Sequence, residues 1–130
     1  EQGWGRIINI SGLNARQTGS IVGSIRNVGV AALTKNLADE LGPKGINVTC
    51  VHPGLTRTEK APGLIAWRAD LQNMTIEDAE KVMNDLNTIR RLITAEEIGH
   101  IVAFLASPKS IAINGDAIAA GGGAPGSIHY

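Results

Sequence analysis

Cysteine occurs once in the 130 residues, as Cys50. A lone thiol excludes an internal disulfide framework and any cluster of thiolate metal ligands, and it fits a reducing compartment, so a cytoplasmic location is expected. Excess charge is missing too: twelve basic and twelve acidic residues cancel, which leaves nothing to draw the chain to nucleic acid or to an anionic membrane. No apolar run approaches the roughly eighteen residues of a membrane-spanning helix, and the opening stretch EQGWGRIINIS lacks the basic, apolar and small-residue order of a signal peptide. HExxH, CxxC and a GxGxxG turn between strand and helix are all absent, and His100 and His129 have no partners at metal-ligand spacing.

What is present is an alternation of short apolar runs and helical patterns. RIINIS, residues 6–11, is rich in β-branched residues, as a parallel strand covered on both faces requires, and INVTCVHP, 46–53, is a second such run stopped by Pro53-Gly54. Between them Val30, Leu33, Leu37 and Leu41 follow helical spacing, and Gly42-Pro43 supplies the stop. Gly23 and Gly29 leave the helix start open, since a glycine in a helix interior costs about 1 kcal/mol relative to alanine. Either the helix begins near Asn27, or small residues there permit a close approach by another surface.

Residues 55–74 show no clean period and are expected to form an irregular excursion. Thr75 with Asp78 caps a helix carrying Ala79, Val82, Met83 and Leu86, and Thr94 with Glu97 forms a capping box before Ile98, Ile101, Val102 and Leu105. Ser107-Pro108 ends that helix. SIAINGDAIAA, 110–120, is a third apolar run, followed by a flexible GGGAPG. Strand, helix, strand, helices, strand predicts one α/β domain over residues 1–130, a doubly wound parallel sheet of three strands with flanking helices. The first strand begins almost at once, so further strands upstream are expected to complete the sheet.

GRIINIS, AALTKNLADELGPKGINV, VHPGLTRTE and TAEEIGHIVAFLASPKSIAINGDAIAAGG, taken in order over residues 3–123, resemble the C-terminal half of the short-chain dehydrogenase/reductase family. The resemblance implies a Rossmann-like fold, an NAD or NADP cofactor and hydride transfer between nicotinamide and a carbonyl or alcohol. It also implies a homo-oligomer, with the first helix near a subunit contact, and a lid over 55–92 whose Leu64, Trp67 and Met74 suit an apolar or bulky small-molecule substrate. The Gly-rich dinucleotide turn belongs to the family's other half.

Laid on the family's YxxxK motif, the helix has Gly23 at the tyrosine position and Asn27 at the lysine position. Gly12 falls where the polarising serine acts, with Ser11 one residue away. Glycine donates nothing, and neutral Asn27 cannot lower the pKa of a phenol that ordinarily titrates near 10. The surviving elements are Pro53, Gly54, Leu55 and Thr58, which the resemblance places against the cofactor. Ser11 either hydrogen-bonds a substrate or caps local backbone. His52, at the C-terminal end of its strand, is either ligand-facing or structural, and Arg26 either pairs with an anion or faces solvent. The rival class is a non-catalytic binding or assembly protein built on the same frame.

Overall fold

The computed structural model describes residues 2–126 and 128; His129 therefore lies outside the described residues. The main sheet has three parallel strands in the order β1 (Gly5–Ile10), β2 (Ile46–Pro53), β5 (Ala117–Ala120). A second, two-stranded parallel sheet joins β3 (Thr56–Arg57) to β4 (Ile93–Thr94). Among the described residues four α-helices complete the fold: α1 (Ile21–Leu41), α2 (Ala61–Gln72), α3 (Ile76–Asn84) and α4 (Ala95–Ala106). Helix α1 packs on one face of the main sheet and α4 on the other, which gives the α/β layering.

Strand β2 is the spine. Its residues from Asn47 to His52 are all buried, as a central strand covered on both faces should be. Val51 packs with Leu105 of α4 and Ala120 of β5, flanked by Ile8, Ile98, Ile101, Val102 and Ile118. Strand β1 instead lies at an edge, and its residues are half-buried, with Ile10 exposed. Among the described residues it has no neighbour on its outer side, so the doubly covered strand expected from RIINIS is covered only in part.

The third apolar run also differs from expectation. Only Ala117–Ala120 is strand; Pro108–Ser110 is a 3-10 turn. Gly115 has a φ of 76°, a left-handed conformation that interrupts an extended run. Its N–H bonds the carbonyl of Val48, and Asn114 Oδ1 accepts from the Val48 N–H at 2.8 Å. The turn thus takes over hydrogen bonds that a longer strand would have supplied.

Helix α1 settles the glycine question. It starts at Ile21, where Ser20 Oγ accepts from the Gly23 N–H at 3.0 Å, so both glycines are helical. The residues it buries are Gly23, Asn27, Thr34 and Ala38, not the leucine row. Leu33 is exposed and Leu37 only half-buried. The reason is the opposing sheet face, which presents Asn9, Cys50 and His52: Asn9 Nδ2 donates to Thr34 Oγ1 at 2.9 Å, and small residues let the helix sit close above this polar seam. Ile21, Val22, Ile25 and Val28 face outward.

The excursion after β2 is more regular than its sequence suggests. Helix α2 occupies residues read as irregular, because Pro62 is tolerated in its first turn and Asn73, at φ 51°, terminates it. Helices α2 and α3 form a hairpin around Ile65, Ala69, Ala79, Met83 and Leu92. Thr75 Oγ1 caps α3 by accepting from the Asp78 N–H at 3.1 Å, as the sequence indicates, though Leu86 falls past the helix end. An ion pair between Arg57 and Glu80 ties β3 to α3.

The Thr94–Glu97 capping box opens α4. Glu97 accepts from Arg91 Nη1 at 2.8 Å and from the Thr94 N–H at 2.9 Å. These bonds to Arg91 and then Thr94 hold its carboxyl down at about 2. A carboxyl whose pKa is lowered on folding contributes stability above its ordinary value of about 4.3 and loses it as pH falls toward the folded value. The gap in urea midpoint between the native protein and Glu97→Gln should therefore be full above about pH 5 and close as pH falls toward 2. A gap that stays constant over that window would disprove the assignment.

Candidate functional site

The C-terminal ends of β1, β2 and β5 open into a cavity of about 500 Å³. Ligands in open α/β sheets bind at this end of the strands. Its floor is the loop after β1 and the Pro53-Gly54-Leu55 turn; the sides are Asn27 and Arg26 of α1, Leu64, Trp67 and Arg68 of α2, and Gly121 beyond β5. The loop after α3 adds Leu86 and Asn87.

Several residues singled out from sequence meet there: Ser11, Asn27, Pro53, Gly54 and Leu55 all line the cavity. Thr58 does not line it. The chain leaves the floor through β3, and Thr58 lies exposed at the entrance to α2, where its hydroxyl accepts from the Lys60 N–H at 3.3 Å. Ser11 Oγ donates to the Asn27 carbonyl at 3.1 Å, so its hydroxyl is engaged in tying the first loop to α1. Gly23 is buried one turn before Asn27 and is not part of the lining.

His52 also stays outside the lining. It is 1% exposed, and its Nδ1 stands 3.8 Å from the Sγ of Cys50, itself 0% exposed. Burial raises the Cys50 pKa, which keeps it a thiol at neutral pH. The pair belongs to the polar seam beneath α1. Among the described residues no group of His, Cys, Asp and Glu could hold a metal ion. His100 lies on the surface of α4, 3.9 Å from Glu96.

Glycine placement explains the floor. A Cβ on Gly54 would lie 2.7 Å from the Gly121 Cα, so the turn after β2 and the end of β5 touch backbone to backbone. The close approach that Gly54 permits is thus to Gly121, and the ligand-facing reason suggested by its sequence context is not the one the packing needs. Gly12 also sits close to α1, where an added Cβ would be 3.2 Å from Asn27 Nδ2.

Some of the lining is invisible to local sequence patterns. Leu64 and Trp67 reach the cavity, whereas Met74, read as a third lid residue, packs beneath the α2–α3 hairpin. The C-terminal glycines are anchored: the Thr88 N–H and hydroxyl both bond the Gly122 carbonyl, the latter at 2.8 Å. Asn87 Nδ2 donates to the Arg91 carbonyl at 2.7 Å, while its Oδ1 is buried with no donor among the described residues.

Known proteins resemble this chain over nearly its whole length. A family model described as enoyl-(acyl carrier protein) reductase matches residues 1–125. Nodulation protein G of Azospirillum brasilense is 36% identical over 125 residues, and dehydrogenase/reductase SDR family member 4 of Rattus norvegicus is 33% identical over 105. The chain belongs to the short-chain dehydrogenase/reductase family. It covers 46% and 34% of those two relatives, which in turn span 95% and 81% of this chain. The crystal structure of YwfH, an NADPH-dependent reductase, superposes with a TM-score of 0.86 at 30% identity, covering 97% of this chain and 49% of that one. The chain therefore spans about half the length of the short-chain dehydrogenases and reductases it matches, or less. Its fold is the Rossmann-like parallel sheet of that family.

Proposed function

We propose that this chain forms the nicotinamide-facing half of an NAD(P)-dependent oxidoreductase whose catalytic set is degenerate, acting on a carbonyl or alcohol. The observation that carries the reading is the cavity itself. It lies at the strand ends, is floored by Pro53, Gly54 and Leu55, and is walled by Asn27 where the family's lysine is expected. The residues suit a nicotinamide nucleotide: a glycine-lined floor, polar groups on α1, and Asn87 Oδ1 lacking a donor. A buried acceptor left unpaired costs about 1–3 kcal/mol, which a carboxamide or ribose hydroxyl can offset. Thr58, although outside the lining, is kept by the family resemblance as a proposed hydrogen-bond partner of the cofactor. When bound, the cofactor supplies hydride.

A second reading, a non-catalytic cofactor-binding or assembly protein, is favoured by one feature. Among the described residues the ionisable side chains lining the cavity are Arg26 and Arg68, and an arginine is an unsuitable proton donor because it stays charged. Loss of a positioned acid costs about 10² to 10⁴ in rate, so slow turnover is expected. Calorimetry with NAD(H) and NADP(H) on the full-length protein, together with nicotinamide absorbance over a panel of carbonyls, separates the cases. Binding with slow turnover supports the first reading, binding with none the second, and no binding defeats both.

The exposed row Ile21, Val22, Ile25 and Val28 on α1 supports a homo-oligomer. No helix among the described residues is long and apolar enough to cross a membrane, and the cytoplasm remains the proposed location.

A further inference from the structure

Among the described residues the charged lining of the cavity carries one sign only: Arg26, exposed on α1, and Arg68, half-buried on α2, line it, and no aspartate or glutamate does. In the same region Arg57 pairs with Glu80 and Arg91 with Glu97. Among the described residues, Arg26 and Arg68 have neither an ion pair nor a side-chain hydrogen bond, and Arg68 Nε is shielded from solvent without an acceptor. A shielded guanidinium nitrogen lacking an acceptor is costly, and a cleft with charge of a single sign concentrates the opposite one. Apolar Leu13, Leu55, Leu64, Trp67 and Met83 share the lining with polar side chains such as Asn14.

We infer that this cavity takes a small anionic ligand, a carboxylate on an apolar body, clamped by Arg26 and Arg68. The inference deepens the proposed function, on whose cavity it rests, by naming the charge of the substrate class. Guanidinium groups suit the task because they present paired N–H donors to the two oxygens of a carboxylate. The lid supplies the apolar contact that a hydrocarbon tail needs. Neither arginine occupies a position that the family motif accounts for.

The test uses the full-length protein, with octanoate and its uncharged amide, octanamide, as probes in calorimetry, and NADPH titrated separately. Octanoate should bind about tenfold or more tightly than octanamide. Arg26→Gln and Arg68→Gln should each erase most of that preference, while Arg26→Lys and Arg68→Lys should retain part of it. NADPH affinity should fall less than octanoate affinity in all four. Equal binding of acid and amide, or no binding of either, overturns the inference. So do glutamine variants that weaken NADPH but not octanoate, which would give the arginines to the cofactor's phosphates. A preference for octanoate that vanishes in the variants, in a protein that does not bind NADPH, upholds the anion site and removes the nucleotide reading.

Discussion

The triple exchange Gly12→Ser, Gly23→Tyr and Asn27→Lys should raise carbonyl turnover by about 10²-fold or more, measured by nicotinamide absorbance on the full-length protein. The sequence's only tyrosine is Tyr130, outside the described residues, and no lysine lines the cavity. The tyrosine introduced in place of Gly23 must displace Asn14 Nδ2 and Ser20 Oγ, each 2.8 Å from an added Cβ. Both are ends of short side chains on exposed residues, so the space can be opened. Gly12 and Asn27 are coupled, since a Cβ on Gly12 would stand 3.2 Å from Asn27 Nδ2. Ser11 bonds the main-chain carbonyl of Asn27, an anchor indifferent to the side chain there. Lysine at this buried site favours an ionised phenol beside it, which is what moves a group titrating near 10 toward working pH. A triple variant that folds and binds cofactor yet turns over no faster than the parent would sink the view that these seats have been vacated.

Much of the fold follows from local rules. Residues 46–53, rich in β-branched residues and bounded by Gly45 and Gly54, become the central strand, and the cap at Thr75 and the capping box at Thr94 mark their helices to the residue. What escaped local reading depended on partners distant in sequence. Helix α2 is made helical by burying Ile65 and Ala69 against α3, although Ala61, Pro62 and Gly63 give no helix signal. Helix α1 buries a polar and small-residue stripe because the strands beneath offer Asn9 and His52, and a hydrophobic period cannot report such a face. The site divides the same way. Ser11, Asn27 and the Pro53–Leu55 turn are legible from contiguous motifs. Arg68, Asn87 and Gly121 reach the cavity only through the lid hairpin and β5.

Gly54→Ala should cost stability of about 1–3 kcal/mol, the usual penalty for forcing an extra carbon into packed structure, read as a lower urea midpoint. The new Cβ would lie 2.7 Å from the Gly121 Cα and 3.1 Å from Leu13 Cδ1. The first obstruction is backbone, so the ends of β2 and β5 must part where the Gly54 N–H reaches the Ala120 carbonyl at 3.4 Å. Gly121→Ala meets Leu13 Cδ1 first, with the Gly54 Cα next at 3.1 Å. Shortening the leucine relieves that contact, so Leu13→Ala should partly rescue Gly121→Ala and leave Gly54→Ala unrescued, a non-additivity expected only of groups that touch. Because the displaced segment floors the cavity, cofactor affinity should fall in parallel with the midpoint. If Gly54→Ala instead keeps the native midpoint and loses only cofactor, its missing side chain serves the ligand and not the contact between strands, and the packing account of this turn is wrong.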